Sequence, residues 1–257
     1  MPGIALTMAD EMHTIPEGVS PERPQRLPFV ADRDVPLFRA QLTVALANHG
    51  IAMDAAQVTA LVTHYHLLGE ANNRFNLTRL IAPAEAVRWH YLDVLAALPC
   101  LTTPDLPDRW VDIGSGGGFP GLVLAVARPD WQFILTERRA KKAAFLRHCV
   151  AELDLGRRVQ VFAGDIEPGT VRRALSSCGT DVSRETCGIL ARAVEDGPRR
   201  LPRLLRVSPF VSAAFWFGQE DARALASRLP PTWELRQHHP LPTGDRRAVI
   251  LLTRRTN

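Results

Sequence analysis

The stretch Val111-Asp112-Ile113-Gly114-Ser115-Gly116-Gly117-Gly118-Phe119-Pro120-Gly121 decides how the rest of the chain is read. A short apolar run enters a turn crowded with glycine, and an apolar, helix-forming run leaves it, which is strand, loop and helix in that order. Glycines there permit positive φ and bring backbone N–H groups against a ligand with no Cβ in the way. Ligands of open α/β sheets bind outside the carboxyl ends of the strands, so this turn is the expected binding loop. Two registers compete. Asp112, Gly114, Gly116 and Gly118 spell D-x-G-x-G-x-G, whereas Gly116, Gly118 and Gly121 spell G-x-G-x-x-G, a nominal dinucleotide fingerprint. The first fits better, because Gly114 follows the strand directly and an acid precedes it. A carboxylate so close to the turn repels a pyrophosphate at the helix N-terminus but suits a cationic ligand. S-adenosylmethionine (SAM) carries an ammonium and a sulfonium and no phosphate, and a nearby carboxylate lowers the cost of desolvating it.

Working outward, the segments 109–114, 132–137, 159–164, 188–193, 211–217 and 248–253 read as strands alternating with helices, the pattern of a mostly parallel, doubly wound α/β sheet. WELRQHHPLP, the short turn around Thr243-Gly244 and RRAVILLTRR predict a closing antiparallel hairpin at the sheet edge. Glu137 ends the second strand, where a carboxylate can accept two hydrogen bonds from ribose hydroxyls. Asp165 follows the third strand, where an acid and its neighbouring N–H groups can read an adenine edge; the competing reading is a helix N-cap. Before the sheet, Asp54 and Gln57 are spaced as a capping box for a helix with Val58, Leu61, Val62, Tyr65 and Leu68 on one face. Pro83 opens another, with Val87, Tyr91, Val94, Leu95 and Leu98 inward. The expected organisation is an extended or disordered arm at 1–36, a helical cap at 37–107 and a ligand-binding domain at 108–257.

Composition bounds the function. The chain has 257 residues, 46% of them hydrophobic and 23% charged, with a formal charge of +4, which is a globular protein rather than a disordered one. Its start lacks the pattern of a signal peptide, and no run reaches a membrane span, so a cytoplasmic protein is expected. Cys100, Cys149, Cys178 and Cys187 show neither a CxxC pair nor nearby histidines at ligand spacing, so no metal site or disulfide framework is expected. His64/His66 and His238/His239 read as surface or packing residues. All cations but Lys141 and Lys142 are arginine, the better fork for phosphate.

Taken in order, several segments resemble the small-subunit ribosomal RNA guanine-N7 methyltransferases, the RsmG or GidB family. They are Phe75-Asn76-Leu77-Thr78, His90 to Leu95, the glycine segment through Ala-Arg-Pro-Asp130, Lys141 to Leu146, and Ala191-Arg192-Ala193. The resemblance runs from about Leu61 to Arg255. It implies a class I SAM-dependent methyltransferase with a seven-stranded sheet, acting on 16S ribosomal RNA or the small ribosomal subunit; a monomer is expected. It implies SAM contacts at Gly114, Phe119, Ile166, Glu167 and Arg192; Asn76, His90 and Asp93 from the cap and Arg192 at the strand mouth are the candidates for holding the substrate. The chain departs from the family where Phe217-Gly218 replaces Lys-Gly and where Asp165 replaces Arg, both changes removing positive charge. These departures motivate an alternative, a methyltransferase of this fold acting on a small molecule or protein. A nicotinamide-dependent oxidoreductase using Gly116, Gly118 and Gly121 is the reading from another class. For methylation at N7 no general base is required, and catalysis reduces to positioning. Arg138, Arg139, Lys141 and Lys142 are further RNA candidates. So is the helix after the fourth strand, which carries Arg199, Arg200, Arg203 and Arg206, with Arg199, Arg203 and Arg206 on one shared face.

Overall fold

A computed structural model describes residues 33–179, 186–207 and 209–255. Residues 1–32 of the expected arm lie outside the described residues, and residues 34–36 belong to the first helix rather than to an extended arm. Helix α1 (Asp34–Asn48) opens the cap, followed by α2 (Ala55–Asn72). The capping box forms as the spacing predicts: Gln57 N–H donates to Asp54 Oδ1 at 2.7 Å, and Asp54 N–H donates to Gln57 Oε1 at 2.9 Å. Gln57 Nε2 also donates to the carbonyls of Val126 and Ala127, so one side chain both starts α2 and docks the cap on the rest of the molecule.

The predicted helix beginning at Pro83 is a composite of α3 (Pro83–Ala86), a π-helical segment (Val87–Leu92) and α4 (Asp93–Leu95), after which α5 (Leu98–Leu101) closes the cap. Widening to a π turn changes which residues face inward, and such turns gather at functional sites. Of the expected inner residues Val87, Tyr91, Val94 and Leu95 are buried, whereas Leu98 starts α5 and is half-buried; His90, Leu92 and Asp93 are buried as well.

Seven strands follow in one sheet: β1 (Arg109–Ile113), β2 (Gln132–Glu137), β3 (Val159–Ala163), β4 (Cys187–Arg192), β5 (Phe210–Gly218), β6 (Trp233–Pro240) and β7 (Arg247–Arg254). Their order is β3-β2-β1-β4-β5-β7-β6. The first five run parallel, and β7 is antiparallel to both of its neighbours. The predicted hairpin is thus present, with its second strand inserted between β5 and β6. That placement follows from composition: β7 is apolar and buried along most of its length, whereas β6 exposes Glu234, Arg236 and Gln237 at the sheet edge, where charge discourages pairing with another chain.

Helices α6 (Gly121–Ala127) and α7 (Ala140–Glu152) cover one face; α8 (Val171–Ser177), α9 (Gly197–Leu205) and α10 (Gln219–Ala226) cover the other. On α7, Phe145, Leu146, Cys149 and Val150 fall on one helical face and are buried, and Leu153 just past the helix end is half-buried. The cap has no separate core. Phe38, Leu42, Leu61, Tyr65 and Tyr91 share one continuous cluster with Trp110, Leu122, Phe145 and Leu251, so burial of the sheet face and folding of the cap are a single hydrophobic event.

Candidate active site

A cleft of about 370 Å3 opens at the carboxyl ends of β1, β2, β3 and β4, a size suited to a small ligand. Its floor is the glycine loop. Gly114, Gly116 and Gly118 have φ of +71°, +55° and +93°, a region that L side chains enter only with strain. A Cβ on Gly116 would meet no protein atom closer than 3.7 Å, so it would project into free space at the cleft wall. Gly121 serves differently: its Cβ would lie 2.5 Å from Leu135 Cδ2 and 2.7 Å from Asp112 Oδ2, so glycine there lets α6 pack tightly on the sheet. Gly118 is likewise turned toward His64 and Leu122 rather than toward the cleft. Two of the three glycines of the dinucleotide register are therefore engaged in packing.

Glu137 accepts from Gly116 N–H at 3.2 Å through Oε2 and from Arg139 N–H at 2.8 Å through Oε1. It clamps two loops and keeps unused lone pairs at the cleft surface. Asp112 is fully buried behind the loop and outside the cleft lining, with Oδ2 accepting from Gly121 N–H at 3.0 Å. Burial pushes its pKa up to about 7, because the charged form has lost water and has gained little in exchange.

The cap closes the cleft with rings. Phe119 stacks on His90 at 4.7 Å and meets His64 and Tyr91 edge-on. The Arg192 guanidinium also lies over the Phe119 ring, 5.9 Å from its centre. His90 bonds Thr78 Oγ1 at 2.9 Å, and burial together with the nearby Arg192 holds its pKa down to about 3, leaving a neutral ring. His64, expected as a packing residue, connects the cap to the loop. Tyr91 O–H donates to its Nδ1, which leaves the proton on Nε2 to donate to Gly117 O, both at 2.9 Å. Burial lowers its pKa to about 4, in keeping with that neutral tautomer.

Asp93 lies outside the cleft and is fully buried. Its carboxylate accepts from Arg192 Nε at 3.0 Å, from Arg247 Nε and Nη2 at 2.8 and 2.7 Å, and from Thr243 Oγ1 at 2.6 Å. Trp216 Nε1 donates to its backbone carbonyl. Burial alone would raise the Asp93 pKa, but Arg247 and Arg192 more than reverse this and hold it below the usual carboxylate range. Arg192 also donates through Nη2 to Trp89 O. Arg192 is thus paired with Asp93, and Glu195 with Arg138.

The structure brings His90, Gly114, Gly116, Phe119, Glu137, Asp165 and Arg192 together in the cleft wall. Ile166 is buried in the core beside α8, Glu167 is exposed with its N–H bonded to Thr170 Oγ1, and Asn76 is exposed in the loop after α2; none of the three lines the cleft. Asp165 does not cap a helix; both of its oxygens accept from Arg200 Nη2. Phe217 is buried beside Phe215. Sequence reasoning did not single out Thr78, Thr243 or Arg247, and gave Arg200 no role at the cleft. Their partners lie 12 to 154 residues away, beyond any local pattern.

Glycine loop, acid at the end of β2, and a sheet whose sole reversed strand among those described is β7 define a class I SAM-dependent methyltransferase. The residues fit SAM: Gly114 and Gly116 offer a wall free of Cβ atoms, and Glu137 offers acceptors for hydroxyls. The family model for "GidB: rRNA small subunit methyltransferase G" matches residues 57–198, and the chain belongs to that family. A relative from Burkholderia pseudomallei (strain 1106a), "Ribosomal RNA small subunit methyltransferase G", is 36% identical over 67% of this chain and 70% of its own length. One of the same name from Burkholderia ambifaria is 34% identical over 86% and 87%. Among solved structures, "METTL16 MTase domain (crystal form 2)" aligns at TM-score 0.49 and 14% identity over 93% of this chain and 99% of that one; the fold assignment rests on strand order instead.

Proposed function

We propose that the protein transfers a methyl group from SAM to N7 of one guanine in 16S ribosomal RNA, working as a cytoplasmic monomer on the small subunit. The observation that carries this reading is the family match over residues 57–198, which takes in every cleft-lining residue except Arg200. When bound, SAM supplies an activated methyl group; guanine N7 presents a lone pair with no proton to remove, so the chain's residues need only bind, orient and exclude water. Gly114 and Gly116 hold the amino-acid end, Glu137 the ribose, and Asp165 the adenine edge. Ile166 acts through its backbone beside Asp165, whereas the Glu167 N–H is taken by Thr170 Oγ1. Asp112 contributes from behind the loop, setting α6 and the loop rather than touching the ligand.

His90, Phe119 and Arg192 form the wall against which the target base packs. His90 is neutral and thus adds no charge opposing a cationic cofactor. Asp93 is a positioning residue that fixes the plane of Arg192, and Asn76 lies on the cap loop where it can meet the RNA backbone. We divide the chain into a cap that begins with α1 and ends at 107 and a methyltransferase domain at 108–257, with the cap covering the site. Among the described residues no helix is long and apolar enough to cross a membrane, and no cluster of three potential metal ligands occurs.

The test is mass spectrometry of ribosomal RNA from a strain lacking the gene. One guanine in the small-subunit RNA should lose its methyl group and regain it on complementation; full methylation without the gene would sink the assignment. Calorimetry with SAM and NAD checks the cofactor, and NAD binding without SAM binding would reverse it.

A further inference from the structure

The cleft lining contains five cations, Arg138, Arg139, Lys142, Arg192 and Arg200, against three acids, Glu137, Asp165 and Glu195. A cationic cofactor does not call for that excess. Arg192 is committed to Asp93 and Arg138 to Glu195, whereas Arg139 and Lys142 form no ion pair among the described residues. On the facing wall, Arg200 reaches from α9 to Asp165, a residue 35 positions earlier, at 2.7 and 2.8 Å. Both contacts use the same nitrogen, Nη2. Nε and Nη1, with three N–H donors between them, make no hydrogen bond among the described residues, and the side chain is 29% exposed.

From this geometry we infer that Arg200 is a phosphate-binding residue of the cleft mouth. Asp165 holds one corner of the guanidinium so that its free edge is presented, already oriented, to the RNA backbone beside the target nucleotide. Anchoring of this kind reduces the entropy lost when a long side chain is immobilised on binding, and the planar fork matches phosphate oxygens. Arg203 lies one helical turn further along α9 and is exposed, as is Arg199, so the contact continues onto the outer face of the helix. Across the mouth, Arg139 and Lys142 supply the other side of the track. The inference rests on the RNA reading above.

The experiment compares wild type, Arg200→Ala and Arg200→Lys, using purified small ribosomal subunits as substrate and SAM binding by calorimetry. Arg200→Ala should raise KM for the subunit about tenfold at moderate salt, the loss of one charge-assisted contact. The slope of log affinity against log salt should fall by about one phosphate. SAM affinity should stay within about twofold. Arg200→Lys should recover part of KM, since charge remains and the fork does not. If Arg200→Ala weakens SAM binding as much as it raises KM, the pair braces the adenine side of the cofactor and the inference is wrong. Unchanged KM, slope and SAM affinity would make it a surface pair, equally against the inference. Absence of methylation of any subunit by the wild-type protein would instead defeat the RNA reading on which it rests.

Discussion

Two guanidinium–carboxylate pairs flank the cleft at nearly the same separation, Arg192–Asp93 at 3.0 Å and Arg138–Glu195 at 2.9 Å, yet they do different jobs. In the first the carboxylate is fully buried and the arginine 12% exposed; in the second the partners are 52% and 81% exposed. Water screens the second and leaves a median contribution of about 0–1 kcal/mol. The first has lost its water, and its three side-chain partners together satisfy what burial took away. The difference separates a floor, where each group is positioned by others and removal of one strands its neighbours, from a rim, where side chains exchange partners freely. Substitutions should therefore act on stability and cofactor binding at the floor, and on salt-dependent RNA binding at the rim.

The largest effect should come from Asp93→Ala. Removing one partner of a buried pair leaves uncompensated charge, here on both Arg192 and Arg247, and typically costs about 3–5 kcal/mol. Urea unfolding should show that loss. The folded-state pKa of Asp93 is depressed, so its contribution is present above the unfolded carboxylate value and is lost as pH falls through the folded one. The gap between wild type and variant should hold at neutral pH and close only in strong acid. A midpoint close to wild type at pH 7 would show that the floor is no more coupled than the rim.

Next in size, Gly116→Val should abolish measurable SAM binding, a loss of at least about 100-fold, because the new side chain enters the cleft from a position with open space. Strain at φ +55° should cost about 1–2 kcal/mol of stability, leaving the protein folded by circular dichroism. Undiminished SAM affinity would move the cofactor elsewhere.

Asp112→Asn tests the floor by its charge alone. The folded pKa of Asp112 is raised to about 7, so its favourable contribution is complete below the unfolded carboxylate value and is lost as pH rises through about 7. Wild-type stability measured against the Asn variant should decline from about pH 4 and level off above pH 7. The amide keeps an acceptor for Gly121 N–H, so the helix start is retained. A constant difference across that range would mean that Asp112 ionises normally.

The contrast between floor and rim also explains what could be read from the chain. Strand, glycine loop and helix from Val111 to Ala127 were legible because period, glycine spacing and the acid two residues before Gly114 are local signals. Glu137 was legible for the same reason, as the last residue of an apolar strand. The Asp93 centre was only half legible: resemblance flagged Asp93 and Arg192, but nothing local joins residue 93 to Thr243 and Arg247, which a six-residue connection between β6 and β7 brings to it. The π-helical segment was invisible, because a 3.6-residue pattern accounts for Val87, Tyr91 and Val94 without it and leaves the burial of His90 and Asp93 unannounced. His64 lacked a signal because its partners, Tyr91 and Gly117, lie on separate elements.

The smallest effect, and the sharpest check on the rim, is Glu195→Gln. Stability should stay within about 0.5 kcal/mol of wild type, as for other exposed pairs. The amide no longer neutralises Arg138, which is then free to meet a phosphate beside Arg139 and Lys142. Affinity for small-subunit RNA should rise about two- to threefold at low salt, and the gain should shrink as salt screens it. Thermal denaturation and filter binding at two salt concentrations measure both quantities on one preparation. Were Glu195→Gln to lose stability on the scale of Asp93→Ala, exposure would not be what distinguishes the two pairs, and the coupling of Arg192 to the cap would need another cause.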